Sequence, residues 1–232
     1  MTVAAIVIVP NSAAGLADVE GEPVIRRLAQ AAWAGGAMPI VVVCPSVDEA
    51  FQQVLAELQV TLSSPEPTVP HGIAWFLGGQ EAAVRAVAET TASLLWPFRH
   101  SWVDPETVTS LIEAHGVSPE SIIRPAYGGR PGFPILVPNS LAGRLAAFPA
   151  MHGEEAIDAA VAGGAPSLTV ELGDPGIVHD GATPRSDLPD FQGPPAQATG
   201  SSDWAAAEPA DEPRYEAEGA TIGPAVPTSR NL

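Results

Sequence analysis

The chain has 232 residues, 46% of them hydrophobic, and a formal charge of −17 from 10 basic and 27 acidic side chains. That is enough apolar material for one generous domain, or for a domain plus a tail. Every basic residue is an arginine, and so acidic a chain repels phosphate backbones, which argues against a nucleic-acid partner.

The run 4–9 (Ala-Ala-Ile-Val-Ile-Val) is apolar throughout, as a central parallel strand buried on both faces requires. It lacks the positive flank of a signal peptide and is too short to span a membrane, so a cytoplasmic protein with no membrane partner is expected. The spacing of Val24, Leu28 and Ala31 or Ala32 predicts a helix over 23–33, stopped by Gly35-Gly36. A second buried strand follows at 39–43. It is closed by Cys44, which as the only cysteine excludes an internal disulfide framework and reads as a small buried hydrophobe. An amphipathic helix is predicted over 47–58. Another lies within 79–95 and feeds a strand over 94–98. Asp104 as N-cap, Pro105 at the first helical position and Glu106 in the first turn open a helix over 105–115, with Gly116 as its stop.

Short strands are expected at 122–124 and 134–137, Ala-rich helices near 140–147 and 154–162, and last strands at 167–172 and 177–179. This alternation predicts a three-layer α/β/α domain over residues 1–191 with a mostly parallel, Rossmann-like sheet. Ligands of such sheets bind beyond the carboxyl ends of the strands. Residues 192–232 turn rich in Pro, Ala and acid, the composition of a disordered tail; Trp204 and Tyr215 are its only aromatics and are available to dock on a partner or on the domain.

Five stretches stand in a telling order. Gly21-Glu22-Pro23-Val24-Ile25 is followed by Ala34-Gly35-Gly36 and the second strand. Then come Trp96-Pro97-Phe98-Arg99-His100-Ser101-Trp102-Val103-Asp104-Pro105-Glu106-Thr107-Val108, Gly129-Arg130-Pro131-Gly132-Phe133-Pro134, Gly153-Glu154-Glu155-Ala156, and Asp180-Gly181-Ala182-Thr183-Pro184. Together they resemble the MobA-like nucleotidyltransferases, the family that attaches CMP or GMP to the molybdenum cofactor. The resemblance implies the nucleotide-diphospho-sugar transferase (GT-A) variety of the α/β fold, a glycine-rich phosphate loop carrying Arg and Lys, and carboxylates that hold Mg²⁺.

The residues depart from that machinery. The loop after the first strand is short, holds no Arg or Lys, carries Asp18 and Glu20, and loses a backbone donor at Pro10. Of the two metal positions that the resemblance implies, one falls on Arg99 and the other on Ala182. The patch that should help hold the base reads Ile73-Ala74-Trp75-Phe76-Leu77. The chain is therefore expected to be a degenerate member that binds a nucleotide or another anionic small molecule, or a partner in molybdenum-enzyme maturation. The alternative is an active Mg²⁺-dependent enzyme transferring a nucleotide from CTP or GTP to molybdopterin or another small acceptor. A glycosyltransferase is disfavoured by the missing Asp-x-Asp. No His-Glu-x-x-His, Gly-x-Ser-x-Gly, Gly-x-Gly-x-x-Gly or Walker loop is present.

Candidate ligand-binding residues at the strand ends are Asn11, Ser12, Arg99, His100, Arg130 and Asp180. Arg99 either binds an anion directly in place of a metal, or pairs with Asp180 or Asp104 and fills the emptied site. Arg130 either touches an anion or is a solvated loop arginine. Asp180 either binds a cation beside His179 or caps the turn at Gly181.

Overall fold

The computed structural model describes residues 2–65 and 72–193. The tail beyond 193, with Trp204 and Tyr215, and His71 lie outside the described residues.

Strand β1 (Thr2–Ile8) shows why an unbroken apolar run was needed. Val3, Ala5 and Val7 enter the core on one side of the sheet, and Ala4, Ile6 and Ile8 enter the core on the other. The next residues fold into a short helix α1 (Ser12–Gly15) and a two-stranded hairpin, β2 (Asp18–Val19) with β3 (Glu22–Pro23). The hairpin turns at Glu20 and Gly21, both at positive φ (54° and 88°), and Asp18 Oδ1 accepts from the Gly21 amide at 3.2 Å. Neither element is predicted by the local pattern.

Helix α2 (Val24–Ala34) and strand β4 (Ile40–Val43) match their predicted places. Helix α3 (Glu49–Ala56) opens on Asp48, whose side chain accepts from the Phe51 amide at 2.9 Å. An unpredicted edge strand, β5 (Val60–Ser63), follows. Helix α4 (Ile73–Ala86) starts six residues earlier than expected and ends well before 95, leaving strand β6 (Thr90–Pro97) to begin sooner. The reason is Gly79: a Cβ there would collide with Ile6, so this glycine lets the helix lie close on the sheet rather than open it.

Helix α5 (Pro105–Val117) has the predicted start, with Asp104 Oδ1 accepting from the Glu106 amide at 2.9 Å. It runs through Gly116 instead of stopping there. Strand β7 (Ile122–Tyr127), the short β8 (Arg130–Pro131) and β9 (Ile135–Pro138) come next, then helices α6 (Ala142–Leu145) and α7 (Gly153–Ala162), and the edge strand β10 (Ser167–Glu171). The strand expected at 177–179 is replaced by a 3-10 turn, Pro175–Ile177. Asp174 caps that turn, its Oδ1 accepting from the Gly176 amide at 2.7 Å, and Pro175 suits the first turn position.

The main sheet has the order β10-β7-β9-β6-β1-β4-β5, with β8 paired to β7. β9 runs antiparallel to both β6 and β7, and the β1-β4, β1-β6, β4-β5 and β7-β10 pairs are parallel. One core layer holds Leu28 of α2, Phe51 of α3 and Leu111 of α5; the other holds Phe76 of α4, Leu145 of α6 and Ile157 of α7. This is the predicted three-layer, mostly parallel architecture. The chain is still hydrogen-bonded at its described end, where Gln192 N donates to Gly173 O (3.0 Å) and Gly173 N donates to Gly193 O (2.9 Å).

Candidate functional site

β6 ends at Pro97, and the backbone turns sharply, His100 N donating to Pro97 O at 3.1 Å. The fully buried Trp96 anchors the turn from below through its indole N–H, 2.9 Å from the His100 carbonyl. From the other side Gly181 N donates to Arg99 O at 2.6 Å. The exposed Arg99 side chain is thereby carried on a fixed backbone at the mouth of the sheet.

A buried carboxylate holds the segment that supplies Gly181. Asp174 accepts from Asp104 N (2.9 Å) and Thr107 Oγ1 (2.7 Å) in addition to Gly176 N, so it ties residues 174–181 to the start of α5. Burial pushes the Asp174 carboxyl above its usual range, against the lowering effect of those three donors. Trp102 adds a second tie: its Nε1 donates to Thr183 O at 2.9 Å, while the Arg27 guanidinium lies 4.4 Å over its ring.

Two clefts open around Arg99. The first, about 320 Å³, is lined by Ile8, Pro10, Leu95, Pro97, Phe98 and Phe133 together with Arg99, His152, Gly153 and Glu154. The second, about 400 Å³, is lined by Arg99, His100, Arg130, Phe133, Glu154, His179, Asp180 and Thr183 among others. Arg99, Phe133 and Glu154 belong to both.

The structure therefore gathers four of the six predicted residues, Arg99, His100, Arg130 and Asp180, in the second cleft. Asn11 and Ser12 line neither cleft. Asn11 caps α1 by accepting from Ala14 N at 2.9 Å. Ser12 is buried and ties the loop to the end of β4: its Oγ donates to Ser46 O (2.7 Å) and accepts from Asp48 N (3.0 Å). Residues 73–77 begin α4, with Ile73, Trp75 and Phe76 turned into the core. Phe133, His152 and Glu154 were missed. Phe133 and Glu154 carry a sequence signal: Phe133 follows Gly132 where the resemblance implies His, and Glu154 lies in the Gly153-Glu154-Glu155-Ala156 stretch.

Arg99 does not form the ion pair with Asp180 or Asp104 that was one of its two readings. Among the described residues no carboxylate lies within 4.0 Å of its guanidinium. Its Nε donates to His100 Nε2 at 3.3 Å, and its guanidinium sits 5.9 Å from the Phe133 ring centre. His100 is buried and stacks on Phe133 with centroids 4.8 Å apart. Burial first, then the neighbouring Arg99 charge, pushes its imidazole down to about 4, so it is neutral at pH 7. Arg130 is presented by a tight hairpin, Tyr127 pairing with Arg130 across Gly128 and Gly129 at φ 58° and 76°. Asp180 caps its turn, Oδ1 accepting from Ala182 N at 3.1 Å. Cys44 is buried with its Sγ donating to Ser46 O at 3.1 Å, and burial raises its thiol pKa.

The residues at the strand ends do not fit a divalent metal. One of the two positions is a guanidinium, the other is Ala182, and among the described residues no three or more metal-ligating side chains converge. What the arrangement can do is bind an anion directly: an exposed guanidinium with no carboxylate partner, a second arginine nearby, and a neutral imidazole orienting the first.

A family model described as a MobA-like NTP transferase domain matches residues 14–164. No curated protein matches the chain in sequence. Among solved structures, a nucleotidyl transferase from Methanothermobacter superposes with TM-score 0.59 at 17% identity, covering 77% of this chain and 91% of that one. A Mycobacterium tuberculosis protein in complex with manganese gives TM-score 0.54 at 17% identity, covering 74% and 89%. The molybdopterin-guanine dinucleotide biosynthesis protein A of Archaeoglobus fulgidus gives TM-score 0.50 at 15% identity, covering 74% and 83%. At these identities the superpositions speak for the fold.

Proposed function

This chain belongs to the MobA-like NTP transferase domain family, and we propose that it is a catalytically degenerate member that binds an anionic small molecule through Arg99. Its role on this reading is that of an accessory protein in molybdenum-enzyme maturation, in a cytoplasmic setting. The observation that carries the reading is Arg99 itself, a guanidinium free of carboxylates where β6 delivers its last residues to the sheet mouth.

Two further features support it. The loop after β1 is folded into α1 and the β2-β3 hairpin, holds no basic residue, and directs Asn11 and Ser12 into structural hydrogen bonds. Phosphoryl-group transfer needs positive charge or a metal around the phosphates, and that loop provides neither. The molybdenum link is drawn from the likeness to the molybdopterin-guanine dinucleotide biosynthesis protein A of Archaeoglobus fulgidus. No helix among the described residues is long and apolar enough to cross a membrane.

The test is pyrophosphate release from CTP and from GTP with Mg²⁺ and molybdopterin. The proposal expects none above background. Mg²⁺-dependent release with turnover would restore the active-transferase alternative.

A further inference from the structure

We infer that the ligand held by Arg99 is a hydrocarbon body, carbocyclic or aliphatic, carrying a single carboxylate or phosphate-monoester head and bound without a metal. This rests on the reading of Arg99 as an anion-binding residue and narrows it.

The body follows from the first cleft. Ile8, Pro10, Leu95, Pro97, Phe98 and Phe133 make most of its lining, and among the described residues the side-chain hydrogen-bonding groups that line it are those of Arg99, His152 and Glu154. Glu154 is already paired with Arg124 at 3.9 Å. A nucleobase or a pterin carries donors and acceptors along its edges, and buried against this lining those groups lose water with few side chains to replace it. A hydrocarbon of the same size has nothing to leave unpaired and gains from leaving water. At about 320 Å³ the cleft suits a bicyclic ring or a short branched chain.

The head follows from the second cleft. Arg99 and Arg130 face it, and neither has a carboxylate within 4.0 Å among the described residues. Glu154 and Asp180 line the same cleft. The two arginines and the two carboxylates cancel, so a head of low charge seated on Arg99 leaves only a small excess of negative charge. A triphosphate would bring several more negative charges against Glu154 and Asp180, with only arginines to offset them. The neutral His100 adds no charge, and its hold on Arg99 Nε leaves the terminal guanidinium nitrogens for a bidentate carboxylate or phosphate. Arg99 stands between the clefts, so one molecule can place its body in the first and its head at the entrance to the second.

The experiment is calorimetric titration of the full chain in EDTA with 2-naphthyl phosphate, 2-naphthoate, 2-naphthol, inorganic phosphate and CMP. Both naphthyl anions are expected to bind at least tenfold tighter than 2-naphthol, inorganic phosphate or CMP. Arg99→Met, at an exposed position, is expected to fold normally by its thermal melt, to weaken the anions at least tenfold, and to leave 2-naphthol unchanged. If CMP matches 2-naphthyl phosphate and both weaken in Arg99→Met, the hydrocarbon body is overturned and the Arg99 reading stands. If no anion binds, or if Arg99→Met binds the anions as the natural chain does, both are overturned.

Discussion

Arg99 donates from Nε to His100 Nε2 at 3.3 Å, an exposed cation held by the imidazole of a buried neighbour. The contact requires the imidazole to be neutral with Nε2 as acceptor, and the surroundings enforce that state: burial and the guanidinium charge together lower its pKa to about 4. Removing the guanidinium should let the imidazole titrate closer to its ordinary range. A proton-detected titration is expected to place the His100 midpoint near 4 in the natural chain and higher in Arg99→Ala. A midpoint near 6.5 in the natural chain would contradict the geometry.

The same shift makes stability depend on pH. Between about 4 and 6.5 the unfolded chain binds a proton at this histidine that the folded chain refuses, so stability falls as pH drops through that window. At 1.36 kcal/mol per pKa unit the full loss is about 3 kcal/mol. Asp174 has the opposite sign: its raised pKa means that stability is lost as pH rises through the range just above 3.8. Urea melts from pH 7 to 4 should steepen in the histidine window, and His100→Gln, which cannot titrate, should flatten that slope.

Asp174 satisfies three donors at once, two of them amides and one the Thr107 hydroxyl. Asp174→Ala leaves those buried groups without their acceptor and is expected to cost about 3 kcal/mol or more. Asp174→Asn keeps one acceptor oxygen and should cost less. Thermal denaturation ranks the two. Equal and small effects would mean that the 174–181 segment is held by something else.

Much of this fold is local and so legible in advance. The β1 run reads as a doubly buried strand because alternate residues must enter opposite cores. Asp104-Pro105-Glu106 reads as a helix start because the cap lies within two residues of the amide that it satisfies. Errors arose where a distant neighbour decides. Gly79 looks like a helix boundary until Ile6 is seen against it. β5 is a half-polar edge strand without an apolar run. The stretch Ile177-Val178-His179 looks like a strand, but Asp174 and Pro175 impose a turn. For Gly116, which sits inside α5, we have no physical account. The site divides the same way. Arg99, His100, Arg130 and Asp180 were legible because strand ends in such sheets converge. Glu154 and His152 reach the same place from the start of α7; the Gly153-Glu154-Glu155-Ala156 stretch marks that start, but nothing in it shows that these side chains meet Arg99.

Close packing around the clefts gives a contrast between glycines. A Cβ at Gly132 would collide with the Ile177 carbonyl, beside the Phe133 wall, whereas one at Gly78 in α4 meets nothing within 4 Å. Gly132→Ala is expected to lose about 1–3 kcal/mol by overpacking. Gly78→Ala should gain roughly 0.5–1 kcal/mol from helix propensity and lost unfolded-state freedom. Chemical denaturation of both variants checks the pair, and a neutral Gly132→Ala would mean that this corner yields easily.

The central claim is that Arg99 occupies the role of a metal ion at this sheet mouth. It is tested most directly by titrating the full chain with CTP and GTP in a calorimeter, once with Mg²⁺ and once with EDTA. The account predicts the same result in both, with any heat weakened in Arg99→Ala. Binding that needs Mg²⁺ and disappears in EDTA would contradict it and return the chain to the metal-dependent transferases.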